Sequence, residues 1–449
     1  DPGTMDVGHI YGGGSPTGVT MYENGALPER FNGAFFSAEP GKNTIFHYQP
    51  EAKGATFKLE QRNLITSNPN KQYAGSDFVG RGKGDHDQNK ILFRPSDISV
   101  GADGAIYICD WYDPRVGGHG DSDRSCSGTI YRIAPKGFKS KTPSINLQTV
   151  DGAIAALTSP AINTRYLGFR ALKTHGEKTL PALTKLLGHS NKHIAARAIW
   201  LLPHLGEKGK SECVKLLKSD QAHVRLTAYR ALRRINPIGS QGIAILPHAQ
   251  QLANDPDPGI RRDVALSLRD LPAAQTKAIF AILAPQVDHT DKNAIEAIGL
   301  GAANQENEIW LAIKEAMKPG EPHQWSDQFA KLTWRLWPSV AVAELKARAL
   351  HASLSPEARK FAVESLAFIN HESSVEAMLE LADDERTKAD ASYWLLRNGH
   401  GEWRPYNIAG ELKKRGIYDP SKIKCTSSNR GFLFLSHACP DIGVNRVRR

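Results

Sequence analysis

Cysteine is scarce in this sequence, and its spacing excludes two kinds of site. Among 449 residues there are five cysteines, namely Cys109, Cys126, Cys213, Cys425 and Cys439. No two of them form C-x-x-C, and C-x-x-C-H is absent, so a thioredoxin-like redox motif and a covalently attached haem c are both excluded. Cys109 and Cys126 are spaced to pair in an oxidising compartment, although a buried thiol and a loop thiol fit equally well.

Long apolar runs and basic clusters are also missing. No stretch reaches the roughly 18 consecutive apolar residues of a transmembrane helix, so we expect no membrane span. The net charge of +10 comes from scattered residues with only short clusters such as Arg233-Arg234. Because no basic run carries interleaved aromatic residues, we expect a mildly basic surface and no nucleic-acid partner.

The first part of the chain contains an internal repeat of short segments that are rich in β-branched and aromatic residues. These segments are bounded by Gly, Pro or Asn, which is typical of antiparallel strands. Residues 56–65 add a further strand after the first copy. The repeat predicts about two blades of a β-propeller over residues 1–137. The matching segments are residues 15–21 with 94–100, 33–39 with 104–110, and 44–50 with 129–135.

Two blades do not close a propeller ring, which needs about four to eight. The sequence begins with DPGTMDVGHI, without an initiator methionine or a secretory leader. We therefore expect this chain to be the C-terminal part of a larger protein whose other blades precede Asp1.

After a polar linker over residues 138–149, the apolar period changes to that of helices. A pattern of small residues followed by leucine recurs, which predicts HEAT-like helix pairs stacked into an α-solenoid over residues 150–400. Residues 401–449 form a C-terminal extension. The predicted fold class is therefore multidomain β + α, a partial β-propeller followed by an α-solenoid. The copies begin at Arg165, Ala195, Arg225, Arg261 and Arg359.

A repeated arginine of this kind more commonly joins neighbouring repeats than binds a ligand. Polar residues precede several copies and predict helix starts, as in Ser190-Asn191, Ser219-Asp220 and Asp257-Pro258.

The densest set of reactive side chains is DWYDPRVGGHGDSD, residues 110–123, in the connection between two predicted strands. Its carboxylates suit a hard cation such as Ca²⁺. Alternatively, His119 contacts a substrate or cofactor, and Arg124 holds an anion. A third interpretation is structural, with Asp110 capping the turn and Trp111 and Tyr112 wedged against the helices. The candidate metal ligands are Asp110, Asp113, Asp121 and Asp123.

Two other acidic positions are candidates. Asp97 lies on the innermost strand of its predicted blade, where it either lines the central channel or binds loop amides at the entry to the strand. The sequence Asp85-His86-Asp87 resembles a ligand cluster, but its glycine- and lysine-rich surroundings also suit an exposed loop.

The order of these motifs resembles one protein family. Asp110 to Pro135 carries D-W-Y-D, G-G-H and G-x-I-Y-R-I-A-P, and the helical repeats and LKKRGIYDPSKIK follow. This pattern is similar to the PVC-type membrane-bound dehydrogenases of planctomycetes and verrucomicrobia, over about Ser15 to Lys424. In that family a propeller resembling quinoprotein glucose or sorbosone dehydrogenases precedes HEAT repeats.

The resemblance implies a parent protein that oxidises a sugar or alcohol with pyrroloquinoline quinone (PQQ) and Ca²⁺ in the periplasm or cell envelope. The blades that would supply the catalytic base are missing here, so the base cannot be assigned, and we expect this chain to be inactive in isolation. Whether it belongs to an enzyme is left open, because fold similarity is weak evidence for activity. The alternative is a non-enzymatic scaffold that binds protein or polysaccharide, with a protein partner on the solenoid.

Overall fold

The structure is a computed structural model, and it describes residues 1–5, 16–67, 93–111, 128–236, 242–399 and 401–418. Residue contacts divide the chain into two compact units. The N-terminal unit is Met5–Leu271, and the C-terminal unit combines Pro272–Arg449 with Asp1–Thr4. The predicted domain limits after residues 137, 149 and 400 stay predictions.

Two antiparallel sheets occupy the first half of the N-terminal unit. The first has the strand order β1-β2-β3-β4 and the second has the order β5-β6-β7, so each strand pairs with its neighbour in sequence. Each predicted strand segment forms a strand at the expected place in the chain. The strands are β1 Val19–Tyr22, β2 Ala34–Glu39, β3 Thr44–Lys53, β4 Thr56–Thr66, β5 Pro95–Val100, β6 Ile106–Asp110 and β7 Thr129–Ile133.

The two sheets share one apolar core, which explains why alternate residues of their strands are apolar. Tyr22 and Phe36 of the first sheet are buried with Ile98, Ile106 and Ile108 of the second. Strands β1 and β2 contact β5, so the first strands of the two sheets are neighbours. The Thr17 hydroxyl donates to the Pro95 carbonyl across this contact, at 2.9 Å.

Among the described residues of the N-terminal unit, eight helices follow the sheets and pack in consecutive pairs. Within the pairs, α1 packs on α2 and α3 packs on α4. Between the pairs, α4 packs on α6, and α6 packs on α8. Gly168 on α2 allows α1 to approach closely, because a Cβ there would lie 2.4 Å from the Leu157 amide nitrogen. The helices are α1 Val150–Leu157, α2 Ile162–His175, α3 Leu180–Leu187, α4 Lys192–Leu201, α5 Gly206–Lys215, α6 Ala222–Ile235, α7 Leu246–Leu252 and α8 Pro258–Ser267.

The repeated arginines have structural roles, as their recurrence predicts. Arg165 donates to the Pro160 carbonyl at 3.0 Å, and Arg225 donates to the Ser219 carbonyl at 2.7 Å. Arg261 and Arg359 likewise donate to carbonyls in the turns that precede their own helices. Arg225 also makes two hydrogen bonds to Asp255, in the turn between α7 and α8, and so joins successive helix pairs. These bonds satisfy carbonyl groups that the turns would otherwise leave without partners.

The C-terminal unit continues the helical pattern in its own core. Helices α10, α12, α14 and α16 form one row, and α9, α11, α13 and α15 pack beside them. Inside this unit, Arg335 and Glu296 form a buried ion pair, and the amide of Gly3 donates to the same carboxylate at 3.0 Å. The helices are α9 Ala273–Leu283, α10 Lys292–Gly301, α11 Glu306–Met317, α12 Asp327–Leu336, α13 Val342–Leu350, α14 Pro356–Ala367, α15 Glu372–Leu381, α16 Lys388–Gly399 and α17 Ala409–Lys414.

The predicted fold class is confirmed as a mixed β + α architecture, with antiparallel sheets followed by a helical repeat region. The described sheets do not close into a ring. None of the helices in the described ranges has the length and apolar character needed to cross a membrane.

Candidate binding sites

Asp110 ends strand β6 and is buried beside the start of β5. Its Oδ1 accepts a hydrogen bond from the Arg94 amide at 2.9 Å, and the Trp111 amide donates to the Arg94 carbonyl at 2.9 Å. Burial raises the pKa of Tyr131, and so do the charge of Asp110 and a hydrogen bond to it. Asp110 therefore binds the backbone beside the start of β5, and the turn that it is predicted to cap lies outside the described residues. The prediction that Trp111 is wedged against the helices is wrong, because 64% of its surface is exposed.

Asp97 is exposed on β5, and its side chain accepts a hydrogen bond from the backbone of the same strand. Its Oδ1 accepts from the Ile98 amide at 2.8 Å, a bond within β5 and not to a loop amide. The same oxygen lies against Gly18, where a Cβ would approach it to 2.3 Å. Glycine at this position therefore lets the entry to β1 pass close to Asp97.

The remaining residues predicted for the site lie outside the described residues, namely Asp113, His119, Asp121, Asp123, Arg124, Asp85, His86 and Asp87. The proposed pair Cys109–Cys126 is likewise incomplete, because of its two members only Cys109, an exposed free thiol, is described. Within the described ranges, no group of three or more His, Cys, Asp or Glu side chains is placed to hold a metal ion. The Ca²⁺ site and the substrate site stay predictions.

A second polar centre joins the sheets to the helices inside the N-terminal unit. Glu23, just after β1, accepts hydrogen bonds from Arg197 Nε at 3.0 Å and Nη2 at 2.7 Å. Arg165 Nη2 lies 3.3 Å from the same carboxylate. Asn24 receives a further bond from Arg197 at 2.7 Å and donates to the Thr158 carbonyl at 3.1 Å. One carboxylate thus serves arginines from two successive helix pairs.

This centre is largely shielded from water, so the pKa of each ionisable group depends strongly on the charges of its neighbours. Burial lowers the pKa of Arg197, and the charge of Glu23 opposes that effect. The neighbouring His193 packs against Gly33, and burial lowers its pKa below the ordinary value of 6.5. A cavity of about 620 Å³ lies beside these residues, and its lining includes Asn24 and Lys192. We assign this centre a structural role, because Glu23 is the shared partner of two arginines from different helices.

The larger cavity is a groove of about 890 Å³ in the C-terminal unit. It runs along the turns between α10 and α11, α12 and α13, and α14 and α15, and ends beside the last turn of α16. We call it the turn groove. Its lining is Asn304, Gln305, Glu306, Asn307, Glu308, Trp337, Ser339, Ala367, Phe368, Ile369, Asn370, His371, Trp394, Arg397, Asn398, Gly401, Glu402 and Trp403.

Side-chain amides hold the turns of this groove in place. Asn307 donates to the Ser339 hydroxyl at 3.0 Å, and Asn398 donates to the Ala367 carbonyl at 2.6 Å. The buried Trp403 donates from its ring nitrogen to the Ile369 carbonyl at 3.3 Å. Each bond links one turn to its neighbour, so the walls of the groove are built before any ligand arrives.

The rim of the turn groove is acidic and hydrogen-bonding. Glu308 and Glu402 are exposed, and Glu306 accepts from the Asn304 amide at 2.9 Å. The facing cation is Arg397, whose guanidinium lies 4.9 Å from the Trp394 ring centroid. Three carboxylates against one arginine favour a ligand that carries positive charge.

Sequence reasoning missed Glu23, Arg197 and the turn groove. The sequence contained one indication of Arg197. In its copy of the repeat, Ala195 replaces the recurring arginine, and Arg197 lies two residues after it. No comparable pattern marks Glu23, and the groove joins turns from separate repeats.

Comparison with known proteins supports the helical repeats directly. Residues 180–269 match a family model described as HEAT repeats. Residues 4–122 match a domain of unknown function, DUF7133. No curated protein matches the chain. The HEAT-like repeats are thereby confirmed, whereas membership of the PVC-type dehydrogenase family stays a prediction.

Among solved structures, human deoxyhypusine hydroxylase in complex with glycerol is similar at 17% identity, over 56% of this chain and 95% of that chain. The TM-score of the superposition is 0.23, so the similarity carries no inference about activity.

Proposed function

We propose that this chain is a scaffold whose helical repeats bind a partner protein through the turn groove. HEAT repeats commonly present extended surfaces to other proteins. The observation that carries the proposal is the groove itself, of about 890 Å³, held open by bonds between successive turns.

The ligand that fits the groove is an extended segment with at least one lysine or arginine. The carboxylates of Glu306, Glu308 and Glu402 would attract the basic side chain. Side-chain amides such as Asn304 and Asn370 both donate and accept hydrogen bonds, which suits an exposed peptide backbone.

Peptide binding tests this function. Two pools of labelled decapeptides are compared by fluorescence anisotropy, one with lysine or arginine at a fixed position and one with glutamate there. We expect the basic pool to bind the full chain, and the double variant Glu308→Gln and Glu402→Gln to weaken that binding about tenfold. Both variants keep side-chain size and remove only charge.

Glu376→Gln is the matched control, because Glu376 is exposed on α15 outside the groove, and we expect this variant to bind as the unaltered chain does. Equal binding of the acidic pool, or an unchanged affinity in the double variant, would contradict the proposal.

The dehydrogenase activity is a separate hypothesis that rests on the resemblance, together with PQQ, Ca²⁺, a carbohydrate substrate and a periplasmic or cell-envelope location. Its propeller has one supporting observation, the contact between the first strands of the two sheets, β1 and β5. Its chemistry has no support among the described residues, where Asp97 binds a backbone amide. Sugar oxidation by this chain with PQQ, Ca²⁺ and a dye acceptor would support it.

A further inference from the structure

The first three strands of each sheet are copies of one structural unit. The register of these strands repeats at the positions that the sequence repeat aligns. Phe35 lies opposite Tyr48 in the first sheet, and their counterparts Ile106 and Ile133 lie opposite each other in the second. Each residue of the repeat therefore has a known equivalent in the other sheet. The aligned segments are residues 15–21 with 94–100, 33–39 with 104–110, and 44–50 with 129–135.

The two sheets pack on each other through faces that are not equivalent. The first sheet contributes Phe36 and Ile45 to the shared core, and the second contributes Ile106 and Ile108. Because successive residues of a strand point to opposite faces, the equivalents of these residues lie on the two sides turned away from the contact. We call these sides the outer faces. The outer face of the first sheet contains Val19, Met21, Phe35, Ser37 and Tyr48, and that of the second contains Ser99, Tyr107, Cys109, Ile130 and Arg132.

The outer face of the first sheet exposes large apolar side chains. Val19 and Phe35 are 65% and 37% exposed. Leu59 of β4 extends this face, because it lies opposite Pro50, two residues from Tyr48 along β3, and it is 55% exposed. Apolar side chains grouped on one exposed face indicate an interaction surface. The equivalent face of the second sheet is the one that packs on the first sheet within the chain.

The outer face of the second sheet resembles the face that the first sheet contributes to the core. Tyr107 is the equivalent of Phe36, and Ile130 is the equivalent of Ile45. Ile130 is 70% exposed, whereas Ile45 is fully buried in the contact between the sheets. One chain therefore carries both halves of the sheet contact a second time, and both halves are exposed. A second copy of the chain is the partner that matches both.

Charge does not oppose a contact between the two outer faces. Arg132 is the cation of the second outer face, and Asp103, in the turn between β5 and β6, supplies a countercharge to it. Its equivalent in the first sheet is His47, which packs against Phe36 at 5.6 Å between ring centroids. The five residues of the first outer face carry no charge, so no like charges meet.

We propose that copies of this chain associate head to tail, with the outer face of the second sheet of one copy packed on the outer face of the first sheet of the next. The contact repeats the packing that joins the two sheets within one chain. An interface between unlike faces closes into a ring or extends as a filament. With two sheets in each copy, a ring of about four to eight sheets takes about two to four copies. Neither face uses residues that line the turn groove, so the proposal goes beyond the scaffold function.

Sedimentation velocity of the full chain tests the association. The sedimentation coefficient should rise over about 1–100 μM, towards assemblies of about two to four copies. Phe35→Glu and Ile130→Glu should each raise the concentration at half-association at least about tenfold, because each places a charge in an apolar contact. Ile162→Glu is the matched control, since Ile162 is 68% exposed but lies on α2, and this variant should associate like the unaltered chain. Circular dichroism checks folding, and Val19→Glu replaces Phe35→Glu if that variant does not fold.

A mixture of the two variants identifies the arrangement. Phe35→Glu keeps the outer face of the second sheet, and Ile130→Glu keeps the outer face of the first. One intact contact can therefore form between the two variants, and the remaining faces of that pair are both altered. We expect the mixture to form a dimer and no larger species, although each variant alone is monomeric at the same concentration.

Three results would overturn the proposal. They are a monomer at every concentration, an assembly that neither variant weakens, and an assembly that Phe35→Glu abolishes but Ile130→Glu leaves intact, which would place the first sheets of two copies against each other. The variant Glu308→Gln with Glu402→Gln should associate normally, so failure of the groove and failure of this interface are distinguished.

Discussion

At the scale of single residues, Glu23 matters because its carboxylate faces two largely buried arginines. Arg197 gives it two hydrogen bonds, and Arg165 adds a third cationic contact. A buried ion pair of this kind adds little to stability when it is complete, because both charges have lost their hydration. Loss of one partner is costly, since it leaves a buried charge without compensation.

We therefore predict that Glu23→Gln lowers the free energy of unfolding by about 3 kcal/mol. The amide keeps the size of the side chain but leaves Arg165 and Arg197 without a negative partner. Urea denaturation of the full chain, followed by circular dichroism, measures the change. Glu177→Gln is the control, because the pair of Glu177 with Lys208 is exposed to water, and it should leave stability unaltered. A loss below about 1 kcal/mol for Glu23→Gln would show that the contact is dispensable.

At the scale of helices, close packing depends on small residues at repeated positions. Gly168 lies where α2 crosses α1, and a Cβ there would also come within 2.8 Å of the Ala153 carbonyl oxygen. Backbone atoms cannot move aside as a flexible side chain can, so an added methyl group forces the helices apart.

Gly168→Ala should accordingly destabilise the protein by about 1–3 kcal/mol, even though alanine favours helix formation. Gly410 on α17 has no neighbouring atom within 4 Å of the corresponding Cβ position. Gly410→Ala should therefore be neutral or stabilising, by up to about 1 kcal/mol, through helix propensity alone. Thermal unfolding compares the two, and a neutral Gly168→Ala would refute the packing argument.

The helix starts show how accurately local sequence patterns predict the ends of helices. Asn191 and Asp257 cap α4 and α8 with side-chain hydrogen bonds, as the sequence predicts. At α6 the prediction was wrong by a residue or more, because Gln221 occupies the cap position and Ser219 instead accepts from the Gln221 amide. A polar residue before a helix marks the turn, but packing of the helix decides where its first turn begins.

At the scale of the whole molecule, partly buried histidines couple stability to pH. Partial burial is the main cause that lowers the pKa of five histidines among the described residues of the N-terminal unit, namely His47, His193, His204, His223 and His248. The unfolded chain binds protons at these rings near the ordinary value of 6.5, whereas the folded chain resists protonation. The stabilisation is complete above that value and is lost progressively as the pH falls below it.

The Tm should therefore fall as the pH is lowered from about 7.5 to about 5.5, a window above the usual titration of carboxylates. Differential scanning calorimetry at several pH values measures it. His193→Gln should reduce the dependence on pH, because it removes one of these five rings. A Tm that rises towards pH 5.5 would contradict the assigned direction of the pKa shifts.

The sequence alone determined the order of the architecture, since local periodicity is a property of consecutive residues. Repeated short segments rich in β-branched and aromatic residues predicted the seven strands, and the recurrence from Arg165 onward predicted the helix pairs. It did not identify the amides that Asp97 and Asp110 bind, which belong to Ile98 of the same strand and to Arg94 before β5.

Only the tertiary structure decided which distant residues meet. Glu23 and Arg197 are separated by 174 positions, and the turn groove assembles turns from successive repeats that share no sequence motif. Such contacts depend on the angles at which helices pack and on which elements become neighbours. Those quantities arise from the packing of whole elements, so no short stretch of sequence encodes them.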